Sequence, residues 1–327
     1  RLHHSERLNM TVHRLIGSPL AAIIFLVTAG TVSAQTQKEL LDELDRTIEE
    51  AESYVSAKEL RIKTIENTLH SRGVSPERQY RIYGELFDEY QPFNYGKAVE
   101  TLDKQMEIAM LLGDKSKLND VYLKEAMLNT AAGEFLEARN DLARVDTTIF
   151  TKEQEIAYCN VQQRFWFDYD ENQKGADKSM LRKVAYYRER LLALADPSSS
   201  LSRYVTVRKY IDEKYFAQAD FINRHSLSRM DPASHDYANL AYFQARICES
   251  LNRREEMKNW FIRSAMADIK TATKDNASLF SLADAQFKDG DYARAFKYSS
   301  FSLEDAIAFD AKLRQWQISA ILPAVQK

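Results

Sequence analysis

The sequence predicts an all-α fold, an α-solenoid of stacked helical hairpins with a period near 40 residues. An aromatic residue that stands three positions before an alanine recurs in a spaced series of four pairs, whose successive aromatic members are 40, 81 and 76 positions apart. The four pairs are Tyr95 with Ala98, Phe135 with Ala138, Phe216 with Ala219, and Tyr292 with Ala295. Because the two longer intervals are close to twice the shortest, further copies are expected near residues 175–176 and 254–257. Such a period is typical of helical-repeat arrays, which bind partners along a groove.

The composition favours helices over strands. The chain has only 9 Gly and 6 Pro in 327 residues, too few for the many turns of a β protein. Hydrophobic residues make up 45% of the chain, which is sufficient for a packed core. The formal net charge of −3 leaves no strong basic field, so this segment is not expected to bind nucleic acid.

The N-terminal residues have the layout of a secretory signal peptide. A positive charge precedes the apolar run 20–27, and a small-x-small pattern ends at Ala34, where cleavage is expected. We interpret residues 1–9 as upstream sequence and residues 10–34 as a signal peptide that sends the chain to the periplasm. A membrane anchor is the competing interpretation. Gly, Ser, Pro and Thr interrupt the apolar stretch, whereas a spanning helix needs about 20 predominantly apolar residues.

The mature chain is predicted to begin with an N-terminal capping segment, residues 35–74. Apolar residues from Leu40 to Val55 recur there at helical spacing and predict one helix from about 38 to 70. Ser75-Pro76 then starts the next helix, because Ser caps free amides and Pro fits the first turn.

Six hairpins are predicted over residues 75–310. Thr151 with Gln154 has the pattern of a capping box, and Asp231-Pro232 predicts another helix start. The predicted pairs are 76–90 with 94–112, 116–132 with 135–145, 151–169 with 175–194, 201–214 with 216–229, 233–251 with 254–270, and 276–289 with 292–309. A final helix, about 311–325, forms a C-terminal capping or connecting segment, residues 311–327. Stacking buries the wide apolar face of each hairpin against its neighbours.

The two cysteines, Cys159 and Cys248, lie in apolar stretches that are predicted to be helical. An exported chain could form one disulfide between them. We favour two free or buried thiols, because buried free cysteine is a common core residue.

Motifs of known enzymes are absent from the sequence. It has no GxSxG, GxGxxG, Walker-type loop, HExxH or CxxC. His225 and His235 stand ten positions apart in different predicted helices, which does not fit metal-ligand spacing. We therefore predict a protein that is not an enzyme and that has no catalytic residue, metal site or cofactor.

An aromatic cluster is the first candidate binding site, and it comprises Phe165, Trp166 and Tyr169. One interpretation is an aromatic platform for a peptide or glycan. The other is a broad helix contact, which we favour because aromatic side chains dominate cores as well as interfaces.

Lys270, Lys274 and Asn276 form the second candidate binding site. They would contact a polar ligand if they face a groove. The alternative, which we favour, is the end of one helix followed by a cap at Asp275 or Asn276 that starts the next.

The hairpin around Gly290 resembles a tetratricopeptide repeat. Matching offsets are occupied by Leu279, Leu282, Ala283, Gly290, Tyr292 and Ala295. Gln286 departs from the pattern, which has an aromatic residue there, and the period near 40 exceeds the usual 34.

A broader resemblance covers nearly the whole mature chain. The stretches 83–95, 268–279 and 302–306, followed by 313–315 and 321–323, resemble the Bacteroidetes-type tetratricopeptide-repeat regulators. The resemblance implies a signal peptide, a periplasmic helical-repeat domain, one transmembrane helix, a coiled coil and a cytoplasmic helix-turn-helix domain. It implies that the membrane span and the DNA-binding part follow Lys327.

We therefore expect a periplasmic sensor or partner-binding segment of a membrane-anchored transcriptional regulator. Its non-covalent ligand would be a peptide, a glycan or a periplasmic protein, and the full-length protein would be tethered to the inner membrane. A homodimer is one of the states that the sequence leaves open. The alternative function is a free periplasmic scaffold for protein assembly.

Overall fold

The computed structural model describes residues 36–173, 178–274 and 277–309. Within them the chain forms fourteen α-helices, one short 3-10 turn and no strand, so the prediction of an all-α helical-repeat fold is confirmed. Two N-terminal helices, α1 (Gln37–Glu49) and α2 (Ala51–Leu69), precede six hairpins. The hairpins pair α3 (Pro76–Tyr90) with α4 (Tyr95–Leu112), α5 (Lys115–Ala132) with α6 (Phe135–Arg144), α7 (Lys152–Asn172) with α8 (Lys178–Leu194), α9 (Ser200–Asp212) with α10 (Phe216–Leu227), α11 (His235–Ser250) with α12 (Arg254–Lys270), and α13 (Ser278–Lys288) with α14 (Tyr292–Phe309).

The repeated aromatic and alanine signature marks the second helix of a hairpin. Each of its four aromatic residues is the first residue of α4, α6, α10 or α14, and each of its four alanines is 0% exposed. A methyl side chain at that position lets two helices pack closely. Of the two further copies expected, the one near 254–257 coincides with the start of α12, and the one near 175–176 lies outside the described residues.

Local signals explain several helix ends. The capping box predicted at Thr151 and Gln154 is present, with each side chain bound to the other residue's backbone N–H. Gly133 ends α5 with φ +82°, a left-handed conformation that glycine adopts without steric cost. The start predicted at Asp231-Pro232 is wrong, because the Ser234 side chain caps α11 by accepting from the Tyr237 N–H.

The prediction of one helix between about 38 and 70 is also wrong, because the chain forms α1 and α2 with a break at Glu50. The Ser53 N–H bonds to the Glu50 carbonyl oxygen, three residues back, and this tightens the backbone between the helices. The two helices bury their apolar residues against different parts of the array. Leu44 of α1 belongs to the core around α12 and α13, whereas Ile62 of α2 belongs to the core around α3 and α4.

The two N-terminal helices, α1 and α2, connect the first hairpin of the array to the last two. Helix α1 packs on α12, and α2 packs on α3, so the segment predicted as a cap clasps the fifth and sixth hairpins to the first. Arg294 of α14 strengthens the clasp by donating to Asp42 and Asp45 of α1 at 2.8 and 2.9 Å. The rings of Tyr95 and Phe309, from the first and last hairpins, meet edge to face at 6.4 Å. The described hairpins therefore form a ring.

Both cysteines are free and buried, as favoured from the sequence. Burial raises the pKa of the Cys159 thiol to about 11, which keeps it protonated and unreactive at neutral pH. The predicted signal peptide, the predicted helix 311–325 and Asn276 lie outside the described residues. Among the helices that are described, none combines the length and apolar character needed to cross a lipid bilayer.

Candidate functional site

A cavity of about 1110 Å³ lies within the ring. Residues of the first helices α3, α5, α7, α9, α11 and α13 line it, together with residues of α2 and α12. Helical ligand sites commonly form between facing helices in this way. The volume slightly exceeds the usual range for small-molecule pockets, about 300–1,000 Å³.

Helix α3 supplies an acidic wall. Glu85, Asp88 and Glu89 line the cavity, and their spacing of three and four places them on one face of the helix. Lys58 of α2 pairs with Glu89 at 3.3 Å. Although the Asp88 side chain is open to the cavity, partial burial by the surrounding helices raises the pKa of its carboxyl, and Lys124 opposes that rise.

Helices α7 and α9 supply three arginines to the cavity lining, Arg164, Arg203 and Arg208. Arg164 donates to Asp168 at 2.5 Å, and Arg208 donates to Asp212 at 3.1 Å. The Arg203 guanidinium binds the Ser198 carbonyl and the Ser200 hydroxyl, while its Nε is buried with no acceptor among the described residues. Guanidinium groups with spare donors recognise carboxylate, phosphate or carbonyl oxygens.

Aromatic side chains occupy the same side of the cavity. Tyr204, Tyr242 and Phe243 line it, and the rings of Tyr204 and Phe243 lie 4.9 Å apart. Arg208 lies over the Phe167 ring at 4.1 Å, which fixes its guanidinium beside them. The cavity can therefore hold a ligand that has both apolar faces and several polar groups.

A second cavity, of about 550 Å³, adjoins the first, because Glu85, Asp88, Gln91 and Met127 line both. Gly84 and Lys124 lie in its wall, and burial lowers the pKa of Lys124. Its lining is more apolar than that of the main cavity and includes Phe87, Leu123 and Val161.

The structure places the predicted aromatic site in a packed cluster. Phe165 is 3% exposed, stacks on Tyr169 at 5.9 Å and meets the Phe135 ring at 6.0 Å. Trp166 donates its Nε1–H to Gln162, and the Lys183 ammonium lies 3.5 Å from the centre of its ring. Phe165, Trp166 and Tyr169 are not part of the main cavity lining, which receives Arg164 and Asp168 from the same helix.

The structure separates the residues of the second predicted site: Lys270 lies against α1, and Lys274 lies where the first and last hairpins meet. Lys270 pairs with Glu43 of α1 at 3.8 Å, and Lys274 pairs with Asp305 of α14 at 2.9 Å. Neither lysine lines the cavity, but Thr271 and Thr273 between them do. The caps predicted at Asp275 and Asn276 lie outside the described residues.

The charged residues that line the cavity, such as Glu85, Asp88, Arg203 and Arg208, were not predicted from the sequence. Their only signal was a set of charges at helical spacing on the first helix of each hairpin. A helix face in open solvent shows the same pattern. These residues face a cavity only because the hairpins form a closed ring. No cluster of His, Cys, Asp or Glu in the part of the chain that is described could hold a metal ion.

Stacked pairs of antiparallel helices define a tetratricopeptide-like repeat domain, a non-catalytic class of scaffold whose members generally mediate protein interactions. The chain belongs to the family described as the SusR N-terminal TPR domain, whose model matches residues 48–320. The resemblance to Bacteroidetes tetratricopeptide-repeat regulators is thereby confirmed. A search of curated proteins found no match to this chain.

Proposed function

We propose that this domain is the periplasmic sensor segment of a membrane-anchored transcriptional regulator and that the central cavity binds its ligand. The cavity itself is the observation that carries the proposal, because charged and aromatic side chains from six helices converge on it. Binding is non-covalent, and the domain is not an enzyme. Membership of the regulator family supports a signalling output.

The cavity favours a small polar ligand over a whole folded protein. A volume of about 1110 Å³ accommodates a short peptide or an oligosaccharide of a few units. Aromatic faces pack against apolar surfaces of such ligands, and carboxylates and guanidinium groups bind their hydroxyl, amide or charged groups. A periplasmic protein would have to insert a loop or terminus.

The signal-peptide pattern supports export, and the family supports attachment to the inner membrane beyond Lys327. The native reading frame after the codon for Lys327 tests this part. We expect a stretch of about 20 apolar residues, a heptad segment and a helix-turn-helix. Fractionation of cells that express the native gene should then recover the protein in the inner membrane.

A free periplasmic scaffold is the outcome if a stop codon follows Lys327 and the protein fractionates with the soluble periplasm. That result would contradict the proposal that the protein is a membrane-anchored transcriptional regulator. It would leave the cavity as a binding site in a soluble protein.

A further inference from the structure

Lys274 is the residue at which three parts of the ring meet. Its backbone N–H donates to the Pro92 carbonyl oxygen at 2.8 Å, and its ammonium lies 5.8 Å from the centre of the Phe93 ring. Its Nζ also donates to Asp305 of α14 at 2.9 Å. Lys274 therefore links the α12–α13 connection to the turn of the first hairpin and to the last described helix.

The ion pair between Lys274 and Asp305 is shielded from water. The two side chains are 18% and 10% exposed, so their attraction is less screened than that of a surface pair. Lys270, four residues earlier, provides a comparison, because its side chain is 32% exposed and reaches Glu43 only at 3.8 Å.

Among the described residues, the junction at Lys274 has less packing of helix on helix than the other joints of the ring. Neighbouring hairpins elsewhere pack helix against helix, as α4 does on α5 and α12 on α13. Between the first and last hairpins, the described contacts come instead from single residues. They include those of Lys274, the Tyr95–Phe309 ring pair, and Ala272, which is buried in the apolar core of the first hairpin. The clasp of α1 and α2 holds the two sides near each other, because α2 packs on both α3 and α12.

Both sides of this junction also border the cavity. Gln91 and Pro92 line it from the first hairpin, and Thr271 and Thr273 line it from the connection after α12. A ligand that touches both sides binds the closed ring better than an opened one and therefore shifts the population toward closure.

We propose that Lys274 acts as a latch: its contacts hold the junction between the first and last hairpins closed, and a ligand in the cavity stabilises that closed state. Ligand in the cavity favours the closed junction, and the pairing of Lys274 with Asp305 carries that state to α14, the last described helix. The coupling to a ligand rests on the function proposed above, whereas the latch is a property of the free domain.

Distance measurements across the junction test the latch without any ligand. Spin labels on Lys97→Cys of α4 and Ala308→Cys of α14 straddle the junction, and both positions are exposed. The native cysteines are 1% and 0% exposed and remain unlabelled. A second pair, Lys97→Cys with Glu137→Cys of α6, reports on the first two hairpins and does not cross the junction.

Lys274→Met and Asp305→Asn are the test variants, and Lys270→Met is the matched control. We expect both test variants to give a longer, broader distribution for the pair at 97 and 308, with no change for the pair at 97 and 137. The opened population should rise about 5- to 30-fold, the effect expected when one shielded contact is lost. Hydrogen exchange of the 271–274 amides should quicken in parallel, while the amides of α5 keep their protection.

Unchanged distances in both test variants, or an equal response in Lys270→Met, would overturn the latch. If one variant fails to fold, the other still provides the test. Because these readouts use no ligand, their failure leaves the cavity proposal intact. A confirmed latch in a domain that binds no peptide or oligosaccharide would refute the proposed function instead.

Discussion

Glu125 of α5 shows how the packing of the second hairpin changes the acid–base behaviour of one residue. Its side chain is 16% exposed, and burial, aided by the nearby Asp141 charge, raises its pKa to about 7 from an ordinary 4.5, although Arg144 opposes the shift. Between these two pH values the folded state holds a proton that the unfolded state has lost. The contribution of Glu125 to stability is therefore present below pH 4.5 and is lost as pH rises through about 7.

Glu125→Gln should remove this part of the pH dependence. We expect the fall in the free energy of unfolding between pH 4.5 and 7 to shrink by about 2–3 kcal/mol, as measured by urea denaturation at several pH values. Glu137→Gln, at an exposed position of the same hairpin, is the control and should leave the slope unchanged. Equal slopes in the wild type and Glu125→Gln would contradict the assignment.

Lys214, in the turn between α9 and α10, is a second residue with a measurable effect on stability, because its backbone conformation lowers the free energy of unfolding. Its φ is +63°, a left-handed conformation that is unfavourable for a residue with a Cβ, and its side chain is exposed. Lys214→Gly should therefore raise the free energy of unfolding by up to about 1 kcal/mol. The neighbouring Glu213 has φ −80°, so Glu213→Gly should instead destabilise the protein by about 0.5–1 kcal/mol. Chemical denaturation of both variants compares them, and the same sign for both would refute the argument.

At the scale of helices, the buried alanine of each signature sets how closely two helices approach. Ala295 is 0% exposed, whereas Ala293, on the same helix, is exposed. We expect Ala295→Leu to overpack the contact and to lower the free energy of unfolding by about 1–3 kcal/mol. Ala293→Leu should change it little. Thermal or urea unfolding measures the stability of both variants. A loss in Ala295→Leu alone shows that packing at the buried position, and not leucine in general, causes it.

The start of a helix could be predicted where the sequence contains a capping residue or a proline in the first turn. Ser75 caps α3 with Pro76 in its first turn, as the sequence indicated, and the capping box at Thr151 starts α7. The break at Glu50 was missed because no Gly or Pro marks it, and the two helices differ mainly in the distant partners that they contact. Asp231-Pro232 misled the prediction because Ser234, another good capping residue, follows within three positions.

At the scale of the whole molecule, closure of the ring gives the domain its cavity. Closure depends on contacts between residues about 180 to 250 positions apart, such as Lys274 with Pro92 and Arg294 with Asp42. Repeat spacing predicts how each hairpin meets its neighbours but contains no information about contacts between the two ends of an array. The sequence therefore predicted the stacked hairpins but neither the ring nor the charged residues that it turns inward.

Calorimetric titration of ligands into the wild type and a cavity variant tests the central claim most directly. The titrants are neutral and acidic oligosaccharides of three to eight units and peptides of three to five residues. Asp88→Asn changes an acidic group that is open to the cavity, and Asp103→Asn, at an exposed position of α4, is the matched control.

We predict that at least one ligand class binds and that Asp88→Asn weakens its binding about tenfold or more, the cost of losing one charge-assisted hydrogen bond. The control should bind like the wild type. An absence of binding throughout the panel, or an affinity that Asp88→Asn leaves unchanged, would contradict a ligand-sensing role for the cavity.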